Sequence, residues 1–423
     1  MEPNGTGFSG MIGATEAWRP LAGRRIVDFG WVVSAPLVGF ELAALGAEVI
    51  KIESRSRADN LRLRGAARPG EGIDWGIADN SPTFHAINRG KRSFGVDLKS
   101  VEGLDLVKQL IAASDALVEN YTVGTMERIG LGDEVLRSLN PSLVRVSLTP
   151  AGRTGRLAGL RAYAATTGAL AGLEGSVGYD EEEPVGMLTF GIADYAAGAM
   201  ATFAVLAGLR AAASVGFQSI DASQMVSNIV ALGMGFAARH AGLPTRPGNR
   251  SPEYSPHGIF RASDGRFVAL AVESDTERAR LAGVLGVPAS DLTADADANG
   301  RDTDAERLIR EWCASRPADE VLSKFSAQEL RAALVAEVAV PDDGTGSAGT
   351  RTGVRVTMPN GTAVRVPGAP WRAGPEPEGI RPRAPRLGED TEYVCRELLG
   401  ISVDRFDDLV RRAVVELPHE AAE

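Results

Sequence analysis

The chain has 423 residues, 44% of them hydrophobic and 24% charged, a composition typical of soluble globular proteins. This length is enough for two or three domains and a large core. The formal net charge of −10 argues against nucleic acid or an anionic membrane as the main partner. It leaves room for a local basic site that binds a phosphorylated ligand.

Cysteine and histidine usage points away from a metal or disulfide protein. Cys313 and Cys395 lie far apart, and the four histidines include no local pair of the H-E-x-x-H kind. Residues 1–19 lack the basic and apolar regions of a secretory signal and predict a flexible tail. The apolar run 196–209 is shorter than the roughly 20 residues of a membrane span. We therefore predict a cytoplasmic protein without a metal.

The first regular pattern is a strand, a helix and a strand. A strand in "RRIVDFG" precedes a helix in "PLVGFELAALG", which ends at Gly46, and a second strand in "AEVIKIE" ends at Glu53. This βαβ unit predicts parallel strands with a right-handed crossover. An acid at the end of the second strand is typical of dinucleotide-binding proteins, but the connecting "FGWVVSAP" lacks the G-x-G-x-x-G pattern and disfavours a nicotinamide or flavin enzyme.

The alternation of strands and helices continues to about residue 150. Strands are predicted in 91–98, 115–120 and 141–150, and helices in 100–114 and 132–140. Alternation of this kind predicts an α/β, doubly wound domain, whose ligands bind at the carboxyl ends of the strands. The loops 30–36 and 120–124 lie at such ends and are candidate binding segments.

The second half of the chain differs in composition and in its predicted elements. Two helix-rich stretches reach about residue 242, and a linker rich in Pro, Gly and Ser follows. One hairpin is predicted in 258–272 and another in 353–368, the latter turning at Asn360-Gly361, with a flexible acidic loop in 291–306 between them. A helical pattern returns after residue 381. We predict a tail over 1–19, a large domain over 20–244 and 366–423, and a smaller inserted α+β domain over 245–365.

Asp194 is the one charged residue between Pro184 and Leu209. A carboxylate in apolar surroundings costs free energy unless it is paired or used. An Ala-rich helical pattern follows it, so Asp194 is a candidate N-cap, which would stabilise that helix by roughly 1 kcal/mol. From the local pattern alone, a structural cap and a functional carboxylate both remain open.

Five motifs in order carry a resemblance to a known family. They are "LAGRRIVDFG…AP…LAALGAEVIKIE", "NRGKRSFGVDLKSVEG", "LVENYTVGTMERIGLG", "LNPSLVRVS" and "APRLGEDTEYVCRELLGIS". Together they resemble the class III coenzyme A transferases, which include formyl-CoA and carnitine-CoA transferases and the α-methylacyl-CoA racemases. The resemblance extends over about residues 20–415.

The resemblance implies a fold, an assembly and a mechanism. It implies a Rossmann-like large domain, a smaller second domain and a homodimer of two interlocked rings. It also implies that Asp194 is the catalytic nucleophile, which takes the acyl group from an acyl-CoA as a mixed anhydride, becomes an aspartyl-CoA thioester and passes CoA to a carboxylic acid. Coenzyme A is then a substrate, and no permanently bound cofactor is expected.

The same motif matches imply a CoA site. The loop along the pantetheine would be formed by Trp31, Val32, Val33 and Ser34, the nucleotide end would lie near Val96, Lys99 and Arg128, and further contacts would come from Asn120, Tyr121 and Tyr163. Lys and Arg side chains suit the three phosphates of CoA. For Lys99 and Arg128 a simple role as solvated surface charges is the alternative.

Three departures from the family pattern bear on the reaction. Tyr163 is followed by Ala164, where many members have an acid, and no Asp or Glu occurs from Pro141 to Leu173. Tyr163 itself replaces the histidine of the racemases, and Val33 replaces a glutamine of some transferases. These changes disfavour formyl or oxalyl substrates and suggest a less polar acyl group. Two alternatives stay open: an acyl-CoA racemase or isomerase using Asp194 and Tyr163, and a non-catalytic CoA-binding partner subunit.

Overall fold

The computed structural model describes residues 18–68, 72–179, 182–186, 191–242, 246, 248, 251, 253–292, 303–336, 353–371 and 381–419. The chain forms two compact units. The first unit comprises Met1–Ala171, Leu188–Ala231 and Val340–Glu423, and the second comprises Gly172–Met187 and Leu232–Ala339. Most of the predicted tail, and residues 293–302 of the predicted acidic loop, lie outside the described residues.

The strands are numbered in chain order. They are β1 (Arg25–Asp28), β2 (Glu48–Glu53), β3 (Ala67–Arg68), β4 (Gly72–Ile73), β5 (Arg92–Val96), β6 (Ala116–Glu119), β7 (Val144–Thr149), β8 (Gln218–Ser223), β9 (His257–Arg261), β10 (Phe267–Ala271), β11 (Arg331–Leu334), β12 (Gly353–Thr357), β13 (Ala363–Pro367) and β14 (Val415–Glu416).

The α-helices are numbered in the same way, with single 3₁₀ turns left unnumbered. They are α1 (Ser34–Ala44), α2 (Asn60–Leu63), α3 (Trp75–Ala78), α4 (Pro82–Asn88), α5 (Val101–Ala112), α6 (Thr125–Arg128), α7 (Asp133–Leu139), α8 (Ala164–Ala171), α9 (Ile192–Val215), α10 (Gln224–Ala231), α11 (Gly233–His240), α12 (Asp275–Leu285), α13 (Asp304–Ala314), α14 (Ala318–Ala327), α15 (Thr391–Tyr393), which continues as a π-helical turn over Val394–Leu398, and α16 (Val403–Arg411).

A seven-stranded sheet organises the first unit. Its strand order is β14-β5-β2-β1-β6-β7-β8, and every pair is parallel except β14 with β5. Counted in chain order, the six parallel strands follow the sequence 3-2-1-4-5-6 of the Rossmann fold. The order reverses between β1 and β6, and the loops that follow these two strands therefore border the crevice where such folds bind ligands. The predicted α/β fold with a large parallel sheet is confirmed.

Helices cover both faces of this sheet. On one face, Val27 and Phe29 of the β1 segment pack with Leu110 of α5 and Phe406 of α16. On the other face, Ile26 packs with helices α1 and α9. Neighbouring residues of a strand point to opposite sides, so the two clusters are the two cores of a doubly wound domain.

One strand escaped the sequence analysis. Residues after Asp194 were predicted to be helical to about 242, but α9 ends at Val215 and β8 extends the sheet beside β7. Gly216, with φ of 76°, terminates the helix. The sequence "QSIDAS" is mostly polar: Ile220 and Ala222 alternate with Ser and Asp and pack against the core on one face of the sheet, and β8 pairs with β7 alone as an edge strand.

Helix α9 is longer than the apolar run 196–209 that was considered in the sequence. With 24 residues it is long and apolar enough to cross a membrane by length and composition, so the length argument was wrong. Its buried residues, however, recur every three or four positions and include Ala197, Ala201 and Val205, which lie in the core beside α1 and β7. This stripe is typical of a helix packed within a globular domain.

The second unit has a core of its own. The antiparallel sheet β11-β10-β9 packs against α12, α13 and α14 through residues such as Leu270, Ile309 and Phe325. The first predicted hairpin is β9–β10. The second is β12–β13, turning at Asn360-Gly361, but it belongs to the first unit, whereas the sequence boundaries placed most of it in the small domain.

Candidate functional site

The loop after β1 and the segment after β6 meet at the switch point of the sheet. The Asn120 side chain accepts a hydrogen bond from the Trp31 N–H (2.8 Å) and donates to the Trp31 carbonyl (2.8 Å) and to Ser34 Oγ (3.1 Å). The Asn120 amide therefore links two other predicted CoA-site residues, Trp31 and Ser34. Tyr121 follows directly, its ring edge-on to Phe29 at 6.3 Å between centroids.

Buried charged side chains form hydrogen bonds to the backbone of the loop after β1. Asp28 accepts from the Gly30 N–H (2.6 Å), and Lys51 donates to the Gly30 carbonyl. Lys91 donates to the Pro36 carbonyl (2.7 Å) and to Asp28 (2.7 Å), although burial lowers its pKa to about 8. Because these side chains are themselves buried and paired, the loop is rigidly preorganised.

The backbone conformation of Val32 is unfavourable by itself, so the surrounding residues must enforce it. Its φ is 62°, in the left-handed region that a β-branched residue rarely occupies. Its N–H donates to Asp59 Oδ1 (3.3 Å), and the Asp59 carboxylate lies 3.3 Å from Lys51 Nζ. Strain of this kind persists only where the surroundings enforce it, and it is concentrated at functional sites.

Asp194 lies in the first turn of α9. The N-cap is Gly191, and Asp194 is the third helical residue, so the predicted capping role was wrong. Its carboxylate accepts no hydrogen bond and forms no ion pair with any residue that the structure describes, and burial raises its pKa to about 6. At neutral pH the group is mostly an anion that is poorly solvated and not neutralised by a neighbouring cation, which favours nucleophilic attack.

Helix α9 approaches α1 very closely just after Asp194. A Cβ on Gly198 would lie 2.8 Å from Leu37 Cδ2 and 3.1 Å from the Ser34 carbonyl. One turn further on, the Thr202 hydroxyl donates to the buried Glu41 carboxylate (2.5 Å). The lack of a side chain at Gly198 thus allows the first turn of α9 to lie beside the start of α1, where the loop 31–34 ends.

Arg57 is a site residue that the sequence analysis missed. Its guanidinium lies over the Trp31 ring at 4.7 Å and near the Tyr121 ring at 5.9 Å, on an exposed 3₁₀ turn after β2. It forms no ion pair with a described residue. An arginine that lies over aromatic rings and donates to no described side chain is suited to an anionic ligand. No local motif marks it, because the contact joins three separate segments.

Four other predicted site residues lie outside the loop 31–34, and Val33 lies within it. The Val96 side chain is fully buried in the core, so it offers no side-chain surface to a ligand. Lys99 is exposed after β5, which β2 separates from β1. Arg128 is exposed at the end of α6 and donates to Thr125 (2.7 Å), and the exposed Tyr163 immediately precedes α8. Val33 is the half-buried N-cap of α1.

Within the described ranges, no group of three or more His, Cys, Asp or Glu side chains is arranged to hold a metal ion. Cys313 and Cys395 are buried free thiols.

Comparison with known proteins defines the class to which this fold and site belong. The chain belongs to CoA-transferase family III, whose family model matches residues 21–391. It is 31% identical over 411 residues to the succinyl-CoA–L-malate CoA-transferase beta subunit of Chloroflexus aurantiacus, covering 94% of this chain and 98% of that protein. It is 33% identical over 277 residues to the succinate–glutarate CoA-transferase of Agrobacterium fabrum, covering 64% and 67%.

The fold has a solved counterpart. A CAIB/BAIF family protein of Brucella suis superposes with a TM-score of 0.75 and 27% identity, covering 90% of this chain and 99% of that one. The chain is therefore a CoA-transferase, and CoA thioesters are its class of substrate.

Proposed function

We propose that the protein moves CoA from an acyl-CoA to a carboxylic acid through a covalent intermediate on Asp194. The observation that carries the proposal is the environment of this carboxylate. It lies one helical turn before Gly198, which packs against Ser34 at the end of the loop 31–34, it has no partner among the described residues, and burial raises its pKa to about 6. A carboxylate of this kind is ionised at neutral pH and available to attack a thioester.

The reaction then balances in four transfers. A carboxylate oxygen of Asp194 attacks the thioester carbonyl, the C–S bond breaks and the CoA thiolate leaves a mixed anhydride. The thiolate attacks the Asp194 carbonyl, releasing the first acid and forming the aspartyl-CoA thioester. The acceptor carboxylate displaces the thiolate to give a second anhydride, and the thiolate attacks the acceptor carbonyl, which regenerates the free Asp194 carboxylate.

The CoA moiety would run along the loop after β1. Trp31, Val32, Val33 and Ser34 would border the pantetheine, with Asn120 holding the loop in place. Arg57, stacked on Trp31 and near Tyr121, would meet a phosphate, and the exposed Lys99 and Arg128 would serve the nucleotide end. Guanidinium groups suit phosphates because they donate two parallel hydrogen bonds.

For the acids, we propose short dicarboxylates with succinyl-CoA as a donor. This rests on the relatives, whose names pair succinyl-CoA with L-malate and succinate with glutarate. Val33, where some transferases have glutamine, instead favours a less polar acyl group. A panel of succinyl-, glutaryl-, butyryl- and propionyl-CoA separates the two possibilities.

The test is an intact-mass measurement after incubation with that panel, with part of each sample trapped by hydroxylamine or borohydride. We expect a mass change that maps to the peptide containing Asp194. Asp194→Asn should lose both the adduct and turnover while still binding CoA, since the substitution keeps the shape of the side chain. Turnover retained by Asp194→Asn would overturn the assignment of the nucleophile.

We also propose a homodimer. Apolar side chains on α8, α9 and α10 are exposed in the single chain, including Leu170, Tyr195, Phe203 and Val230, with Phe203 at 71%. These three helices pack on one another, so the exposed side chains belong to neighbouring elements of the first unit. Apolar patches of this kind mark protein interfaces.

A partner-subunit role is the second candidate, because Ala164 stands where many members have an acid and a relative is named a beta subunit. It predicts CoA binding, no adduct on Asp194, and turnover only after mixing with a second chain. The isomerase alternative predicts deuterium uptake beside the thioester without an acceptor acid.

A further inference from the structure

We infer that Gln224 and Asn228 are positioning residues, which set Asp194 against the CoA-binding loop through hydrogen bonds from helix α10. The inference rests on the proposed role of Asp194 as nucleophile. Both side chains are buried, at 5% and 2% exposure, and neither was singled out from the sequence.

Gln224 connects α10 to the loop after β1. It is the first residue of α10, directly after β8, and its Nε2 donates to Ser34 Oγ at 2.8 Å. Asn120 Nδ2 donates to the same oxygen, so Ser34 accepts from two amides that themselves have fixed positions. The Thr167 hydroxyl of α8 lies 3.5 Å from Gln224 Oε1 and donates to the Tyr163 carbonyl at 2.9 Å, which brings a further predicted site segment into contact with this amide.

Asn228 connects α10 to the turn that carries Asp194. Its Nδ2 donates to the Ala193 carbonyl at 3.2 Å and to the Gln224 carbonyl at 2.7 Å. Ala193 directly precedes Asp194, and it is buried. Both hydrogens of the amide are used, so the side chain has one orientation.

The spacing of these two residues gives α10 its role. Residues four apart lie on the same face of a helix, so Gln224 and Asn228 present their amides side by side. The Gln224 amide binds the first residue of α1, and the Asn228 amide binds the first turn of α9. The close contact at Gly198 keeps the two helices packed directly against each other. Helix α10 therefore fixes the position of the nucleophile relative to the loop along which the thioester would lie.

Loss of such a tie should affect catalysis more than binding. A misplacement of about 1 Å between reacting groups can cost roughly 100-fold in rate, whereas CoA affinity depends on contacts spread along the whole molecule. Gln224→Met and Asn228→Ala should each lower kcat 10- to 100-fold and leave KM for the acyl-CoA and the Kd of CoA within about threefold. Neither side chain is predicted to touch the substrate.

The matched control is Gln218→Met. Like Asn228, Gln218 donates to a carbonyl of α9: its Nε2 donates to the Gly208 carbonyl at 2.9 Å, near the opposite end of the helix from Asp194. The melting temperature of this variant should fall about as much as that of Gln224→Met, while its kcat stays unchanged. Equal losses of kcat in the two variants would show a general effect on stability and would overturn the inference.

A double-mutant cycle tests the path through Ser34. Ser34→Ala removes the shared acceptor, so adding Gln224→Met to it should lower kcat by less than threefold. Full additivity would overturn the path. The two proposals fail separately: an adduct on Asp194 in the wild type with normal kcat in Gln224→Met rejects only the positioning role, and turnover by Asp194→Asn rejects the proposed function itself.

Discussion

At the scale of the residue, Asp194 combines two features that oppose each other. Burial without a partner raises its pKa to about 6, and the folded state must then hold a charge in a poorly solvated position at neutral pH. That cost would persist because the same desolvation leaves the oxygen free to attack a carbonyl. Stability and reactivity are therefore expected to trade against each other at this position.

The pH dependence of Asp194 follows with a definite sign. Acyl-enzyme formation needs the carboxylate, so the single-turnover rate should fall below an apparent pKa of about 6. Because the folded-state pKa lies above that of the unfolded chain, ionisation of Asp194 reduces stability as the pH rises through 4 to 6, and the cost is fully present above that range. Asp194→Asn should then raise the melting temperature by a few degrees at pH 7.5, corresponding to about 1–2 kcal/mol after allowance for partial exposure.

The higher melting temperature of Asp194→Asn should disappear near pH 4, where residue 194 is neutral in the folded wild type as well as in the variant. Differential scanning fluorimetry at the two pH values measures it. A melting temperature lowered at pH 7.5 would show that Asp194 is stabilised by its surroundings and contradict the raised pKa.

Arg57 provides a second prediction at this scale. Arg57→Ala should weaken CoA binding by about tenfold, since a charge-assisted hydrogen bond to phosphate is worth roughly 1.5–3 kcal/mol, and should leave kcat at saturation nearly unchanged. Isothermal titration with CoA and with pantetheine, which lacks the nucleotide phosphates, separates charge recognition from loop packing. Arg64→Ala, a change at an exposed arginine just after α2, is the control and should bind CoA normally. Equal affinities for Arg57→Ala and the wild type would exclude this phosphate contact.

At the scale of the element, the contact between α1 and α9 determines where Asp194 lies relative to the loop 31–34. Glycines at two positions of α9 allow it to approach the rest of the domain. A Cβ at Gly198 would meet Leu37 and Ser34 of α1, and a Cβ at Gly208 would lie 2.5 Å from Val144 of β7. Both substitutions overpack the helix, but only one does so beside Asp194.

Gly198→Ala and Gly208→Ala should therefore differ in function more than in stability. Each should cost about 1–3 kcal/mol through forced shifts of packed neighbours. Gly198→Ala should also lower kcat at least tenfold, because it displaces the turn carrying Asp194, whereas position 208 is about 20 Å along the helix from it. Chemical denaturation and steady-state kinetics on both variants check this. A kcat equally low in Gly208→Ala would mean that the site responds to any loosening of α9.

At the scale of the whole molecule, several large apolar side chains of α8, α9 and α10 are exposed in the part of the chain that the structure describes. Exposed apolar side chains on neighbouring helices favour burial in an assembly. The proposed dimer would then protect the helix that carries Asp194 from water.

Phe203→Glu tests this arrangement. Placing a charge at the most exposed aromatic residue of these helices should convert a dimer into a monomer in analytical ultracentrifugation and lower turnover. Val101→Glu is the control: Val101 is 84% exposed at the start of α5, on the other face of the sheet, and its replacement should leave the assembly unchanged. A wild-type protein that sediments as a monomer would reject the dimer.

Local pattern was sufficient to predict much of this architecture. The local pattern placed β1, α1, β2, β5, α5, β6 and β7 close to their observed bounds. Buried strands read as short apolar runs, α5 is buried on one face, and α1 is buried almost throughout. The lone charge in an apolar stretch singled out Asp194, and the order of the motifs identified the family. These features depend on residues near one another in sequence.

What only the tertiary structure decided involves residues that are far apart in the chain. Ser34 and Gln224 are 190 positions apart, and Asn120 is 89 positions from Trp31. The stacking of Arg57, the burial of Val96, the edge strand β8 and the place of Asp194 within its helical turn also follow from packing and not from local sequence. The sequence by itself determined the elements, the loops at the carboxyl ends of the strands and the candidate nucleophile, since local sterics and hydrophobic burial set these. The structure decided which side chains surround that nucleophile, because those contacts exist only once the sheet has brought distant segments together.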